Sequence, residues 1–218
     1  TGMASHETRL YHLGAAPVKR STLSDANRDR SWRVFGDLFT EMLTQAHRGL
    51  RRTTADAVRL IDSTSVRLSS LSADWATFST DVFGAKAHIV YDPHADLPVY
   101  FAVTPAKVND ITAAKVMPIE PGTTYVYDLG YYDYCWWAQL DEAGCRFVTR
   151  LKKNTPFTAV HDNRVATNGN ILSDRIGHLP PRLARSRANP LQVPWRTSHI
   201  HNSEARSAGI RHIRNDPT

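Results

Sequence analysis

Thr123-Thr124-Tyr125-Val126-Tyr127-Asp128-Leu129-Gly130-Tyr131 is a β-branched and aromatic run that stops on an aspartate and a turn. Thr, Val and Tyr suit a pleated, half-buried surface, so the run predicts a strand over 123–128 with Asp128 at its end. A similar run lies upstream. Ala57-Val58-Arg59-Leu60-Ile61-Asp62 predicts a strand over 57–62 that ends on Asp62. If the later strand enters beside the earlier one and parallel to it, both carboxylates finish at one edge, because neighbouring strands lie about 4.8 Å apart. Such a pair suits hard divalent cations, since Mg²⁺ takes a few anionic oxygens and keeps part of its water shell. Two such ions about 4 Å apart clamp the attacking and leaving oxygens of a phosphodiester. Asp62 and Asp128 are therefore the candidate metal ligands and catalytic residues.

The intervening sequence supplies the rest of a sheet. Ala85 to Tyr91 and Leu97 to Thr104 read as two strands joined through Asp92-Pro93-His94-Ala95-Asp96, a hairpin in which Pro98 marks an edge. Residues 110–117 predict a short helix capped by Asn109 or Asp110. After Asp128, residues 134–143 predict a second helix stopped by Gly144, and residues 146–152 a fifth strand. Trp136 and Trp137 are adjacent on that helix, which predicts one of them in the core; Cys135 and Cys145 read as buried thiols. Three strands, a helix, a strand, a helix and a strand make a mixed α/β sheet with an antiparallel meander first and a crossover afterwards. Upstream, Arg20 to Asn27 has cap and turn chemistry. Trp32, Phe35, Leu38, Phe39, Met42 and Leu43 then recur at helical spacing.

The 218 residues carry a net charge of +6, which favours a polyanionic partner. From Arg175 onward eight arginines face only Glu204 and Asp216. The two cysteines offer neither a disulfide framework nor a zinc spacing, and no apolar stretch reaches the roughly 20 residues of a membrane helix. The start, Thr1-Gly2-Met3-Ala4, lacks the apolar core of a signal peptide, and a reducing cytoplasm is the expected compartment. Residues 186–218 show no sustained period and are rich in Arg, His, Ser and Pro, which predicts little order.

Five segments in order resemble one family: Leu60-Ile61-Asp62-Ser63-Thr64, Gly84-Ala85-Lys86-Ala87-His88, Ala106-Lys107-Val108-Asn109-Asp110, Tyr125 to Tyr131, and Phe147-Val148-Thr149-Arg150-Leu151-Lys152. Together they resemble the DDE transposases of bacterial insertion sequences, in the insertion-sequence-4 superfamily. The resemblance covers about residues 57–153, and Arg20-Ser21-Thr22-Leu23 adds to it. It implies a ribonuclease-H-like fold that binds Mg²⁺, with Mn²⁺ as a substitute, and cuts and rejoins double-stranded DNA at the terminal inverted repeats of a mobile element. It implies a bacterial, nucleoid-associated protein able to form homo-oligomers. Asp62 and Asp128 match the first two acidic ligands of the family triad.

The third ligand of the family is a glutamate in a Tyr-x₂-Arg-x₃-Glu-x₆-Lys helix, after an inserted β segment. Here Glu120, Glu142 and Glu204 are the glutamates beyond Gly49, and none has that setting. The expected organisation is a helical region at 1–52, a ribonuclease-H-like core at 53–153, the start of the inserted segment at 154–185 and a basic tail at 186–218, with truncation or a frameshift near 186. The expected function is transposition chemistry, inactive in this polypeptide for want of that ligand. The alternatives are a DNA-binding remnant that inhibits the intact enzyme, and a nuclease that takes its third ligand from Asp92, Asp110 or Asp133. Lys86 and His88, on one face of their strand, and Arg150, Lys152 and Lys153, at the end of another, are the candidate DNA contacts.

Overall fold

The computed structural model describes residues 12, 14, 18–31, 33–49, 57–70, 73–167, 169–181, 188–191, 193–200 and 210–215. They fall into two compact units, 1–51 and 52–218. In the first, α1 (Arg20–Asp29) is a full helix where cap and turn chemistry is predicted. Its ten residues contain neither Gly nor Pro, and nothing in Arg-Ser-Thr-Leu-Ser-Asp-Ala-Asn stops a turn from propagating. Helix α2 (Arg33–Gly49) carries Phe35, Leu38, Phe39, Met42 and Leu43 as the spacing predicts, and Trp32 lies outside the described residues.

The second unit is built on one sheet. Its strands are β1 (Val58–Leu68), β2 (Thr77–Ser79), β3 (Val82–Asp92), β4 (Leu97–Pro105), β5 (Thr124–Tyr127), β6 (Arg146–Arg150), β7 (Thr158–Asn163), β8 (Ile171–His178), β9 (Trp195–Ile200) and β10 (Ile210–Arg214). Between them lie α3 (Ala73–Ala76), α4 (Asp110–Ala114), a 3₁₀ turn (Leu129–Tyr131) and α5 (Tyr134–Glu142). The order across the sheet is β2-β3-β1-β5-β6-β10-β9-β8-β7, with β4 also paired to β3. Strands β1, β3 and β4 form the antiparallel meander, and β5 and β6 follow parallel to β1. This is the mixed α/β arrangement of a ribonuclease-H-like fold.

Alternation explains how the sheet finds its core. Arg59 and Ile61 of β1, Tyr125 and Tyr127 of β5, and Phe147 and Thr149 of β6 are all buried on one face. Helix α5 covers that face. Asp133 caps it by accepting a bond from the Trp136 N–H, and Gly144 ends it in the left-handed region at φ +71°. Both tryptophans of α5 are fully buried, against the prediction of one. Trp136 packs on Tyr127 at 5.0 Å between ring centroids, while Trp137 packs on Phe147 at 5.4 Å and on Trp195 at 5.8 Å. The helix is therefore walled on two sides, which adjacent residues about 100° apart can exploit. Cys145 is buried as predicted, but Cys135 is exposed.

The wall on the second side comes from the stretch predicted to lack order. Strands β9 and β10 lie within 186–218, with Trp195 and Ile213 buried. Strand β10 pairs antiparallel with β6, placing Ile213 opposite Thr149. Order here depends on hydrogen bonds to β6, some sixty residues earlier, and local periodicity cannot report it.

Candidate metal centre

In the parallel register Ile61 stands beside Tyr127, so Asp62 and Asp128 are the next residues on neighbouring chains. The sequence predicts that β1 ends at Asp62; instead it continues to Leu68, paired with β3, where Asp62 faces Ile89. What ends near Asp62 is the parallel partner. Strand β5 stops at Tyr127, and its chain turns into the 3₁₀ segment that Asp128 caps by accepting the Gly130 N–H at 2.8 Å. Asp62 accepts the N–H of Ser63, also at 2.8 Å. Both carboxylates are exposed, on the sheet face opposite α5. With Leu60, Val126, Val148 and Arg150 they line an open groove of about 430 Å³.

A third carboxylate stands close by. Asp110, the first residue of α4, accepts from Ser63 Oγ at 2.8 Å and from Lys86 Nζ at 3.0 Å through its Oδ1. Its Oδ2 lies 2.9 Å from where a Cβ on Gly130 would sit, and Asp128 Oδ1 lies 3.0 Å from the same point. Tyr131 reports all three charges. Burial pushes its phenol well above the ordinary tyrosine value, and the negative charges of Asp110, Asp62 and Asp128 push it further.

The other predicted residues divide. Lys86 and His88 share a face as predicted, but both turn towards Asp110. Lys86 also donates to the Val108 carbonyl at 3.1 Å, and buried His88 bonds Thr104 Oγ1 through Nε2 at 2.8 Å. Burial pulls the His88 pKa down, and the negative charge of Asp110 opposes this. Arg150 lines the groove beside Asp128, whereas the Lys152 ammonium lies over the Tyr132 ring at 4.5 Å and Lys153 is exposed. Of the alternative third carboxylates, Asp92 is bound to Arg59 at 2.7 Å, and Asp133 caps α5 and pairs with Lys115 at 2.8 Å. Glu120 pairs with Arg59 at 2.8 Å, Glu142 is exposed on α5, and Glu204 lies outside the described residues. Asp110 is the one of the three that reaches the Asp62 and Asp128 neighbourhood. In sequence Asp110 is a helix start that closes one of the five family-like segments, and nothing local ranks it above Asp92 or Asp133.

Among the described residues no three His, Cys, Asp or Glu side chains form a ready cation cage. Two carboxylates still fit Mg²⁺, which is commonly held by one or two of them together with water and substrate phosphate.

Residues 53–203 match the family described as Transposase DDE domain. The chain belongs to that family. Across 90% of its length this DDE domain chain is 37% identical to the Sinorhizobium fredii protein named "Putative transposase y4zB", of which it covers 55%. It is 36% identical over 73 residues to the transposase for insertion sequence element IS231E of Bacillus thuringiensis subsp. finitimus, covering 33% of this chain and 15% of that protein. With the IS231B transposase of Bacillus thuringiensis subsp. berliner the identity is 28% over 128 residues, or 56% of this chain and 27% of that protein. The DDE domain chain thus spans about half the length of the Sinorhizobium relative and smaller shares of the others. The family match runs to residue 203, beyond the position near 186 where the sequence predicts a break in frame.

Proposed function

We propose that this chain carries the first two metal-binding carboxylates of an insertion-sequence transposase, Asp62 and Asp128, and acts on the phosphodiesters of double-stranded DNA at element ends. The lateral adjacency of these residues in the β1–β5 register carries the proposal. The family relationship supports it, and so does the basic net charge of +6. A bound Mg²⁺ would supply Lewis acidity and a nucleophilic water or hydroxyl at neutral pH. The chain's own part is to hold the cation between two oxygen donors and to seat the phosphate backbone along the groove. Arg150, at the groove's rim, gives that backbone a cationic contact.

Two carboxylates hold an ion loosely, and misplacement by about 1 Å can lose around 10²-fold in rate. The 218-residue polypeptide is therefore proposed to bind Mn²⁺ or Mg²⁺ and DNA while cleaving weakly or not at all. It works at the bacterial nucleoid, and oligomers form on its DNA. The test is Mn²⁺-induced broadening of the amide NMR signals of residues 61–64 and 128–131, alongside a nicking assay on double-stranded DNA. Broadening that disappears in Asp62→Ala and in Asp128→Ala supports the site. Equal broadening in both variants removes it, and robust nicking by the wild-type chain removes the claim of weak cleavage.

A further inference from the structure

We propose that Asp110 is a positioning residue of the Asp62–Asp128 site, acting through Ser63 on one side and across Gly130 on the other. The proposal rests on the cation reading of that site. Asp110 comes from α4, an element that follows the meander, yet its Oδ1 takes the hydroxyl of Ser63, the residue directly after Asp62, at 2.8 Å. Lys86 Nζ holds the same oxygen at 3.0 Å, so the carboxylate is fixed from β1 and β3 at once. Its other oxygen points at Gly130, where a side chain would collide with both Asp110 Oδ2 and Asp128 Oδ1. The bare glycine leaves room for both carboxylates beside it.

An independent observation points to the same place. His88 is 4% exposed, its Nδ1 has no hydrogen-bond partner, and that atom stands 4.0 Å from Asp110 Oδ1. A buried polar atom left unpaired costs free energy, and here the orphan is aimed at the carboxylate already gripped by Ser63 and Lys86. Four polar groups from two strands and a helix, Ser63, Lys86, His88 and Asp110, thus converge behind the exposed pair. None of them lies at the rim where a phosphate would dock. Groups behind the primary ligands orient them and commonly change metal affinity by about 10–100-fold when removed.

The experiment compares Mn²⁺ affinity, read from amide broadening at residues 61–64 and 128–131, in wild type, Asp110→Asn, Ser63→Ala and Glu142→Gln. Asparagine keeps the shape of Asp110 and an oxygen for Ser63, and urea midpoints report the fold separately. The expected result is a loss of about 10-fold or more in Asp110→Asn, a smaller loss in Ser63→Ala, and no change in Glu142→Gln, which removes one exposed charge from α5. A purely structural Asp110 would lower the urea midpoint and leave Mn²⁺ affinity at the wild-type value; that result overturns the proposal. Unchanged affinity in Ser63→Ala overturns it as well, and stands if Asp110→Asn does not fold. Wild-type protein that binds no Mn²⁺ sinks the cation reading and this proposal together, whereas binding abolished by Asp62→Ala but indifferent to Asp110→Asn sinks this proposal alone.

Discussion

Asp110 Oδ2 and Asp128 Oδ1 flank Gly130 so closely that a Cβ there would stand 2.9 Å from the first and 3.0 Å from the second. Both obstructing atoms are ends of side chains, so Gly130→Ala can be accommodated by swinging a carboxylate aside. The variant should fold with a small loss of stability, about 1 kcal/mol or less, and bind Mn²⁺ about 10-fold more weakly. Urea denaturation and the amide-broadening titration measure the two quantities separately.

Arg59 is buried beneath β1, and its guanidinium bonds Asp92 at 2.7 Å and Glu120 at 2.8 Å. It joins the start of β1 to the end of β3 and to the loop before β5. Removing it leaves the largely buried Asp92 without its cation, so Arg59→Ala should cost about 3–5 kcal/mol. The urea midpoint of that variant is the check, and a change within 1 kcal/mol would show the pair to be dispensable.

Acid should weaken the fold through carboxylates held below their ordinary pKa. Asp174 is the clearest case. The bonds from Arg196 lower it, against a smaller opposing effect of burial. For Asp92 burial pulls upward, but the N–H groups of Ala95 and His94 and the charge of Arg59 outweigh it. A depressed folded pKa means that the unfolded chain takes up the proton first. The stabilisation is complete above the ordinary carboxylate value and is lost as pH falls through the folded one. Asp174→Asn should therefore flatten the acid limb of stability against pH below about pH 4, in urea melts run across that range.

Gly177 faces the backbone of β7, and a Cβ there would collide with the Thr158 carbonyl oxygen. Main chain cannot yield as a carboxylate can. Gly177→Ala should open the β7–β8 pairing, seen as faster amide hydrogen exchange over 158–163 and 171–178, with the β1–β5 region unchanged.

DNA contact should separate Arg150 from Lys86. Arg150 lies on the open groove, while Lys86 is spent on Asp110 and the Val108 carbonyl. Arg150→Gln should reduce the slope of log affinity against log salt by about 1, and Lys86→Gln should leave it near the wild-type value. Fluorescence anisotropy on a labelled duplex at several salt concentrations gives both slopes.

Local pattern alone determined that strands run through Val58 to Asp62 and Thr124 to Tyr127, that residues 92–96 turn a hairpin, and that Asp133 opens a helix closed by Gly144. Those signals are legible because each depends on residues within a few positions of one another. Tertiary structure alone decided that β1 runs past Asp62, that both tryptophans of α5 are covered, and that the Arg-rich end supplies β9 and β10. It also decided which of three aspartates stands beside the candidate pair. Strand pairing and ion pairing are settled by partners far away in the chain, and Asp92, Asp110 and Asp133 look alike until Arg59, Ser63 and Lys115 are brought against them.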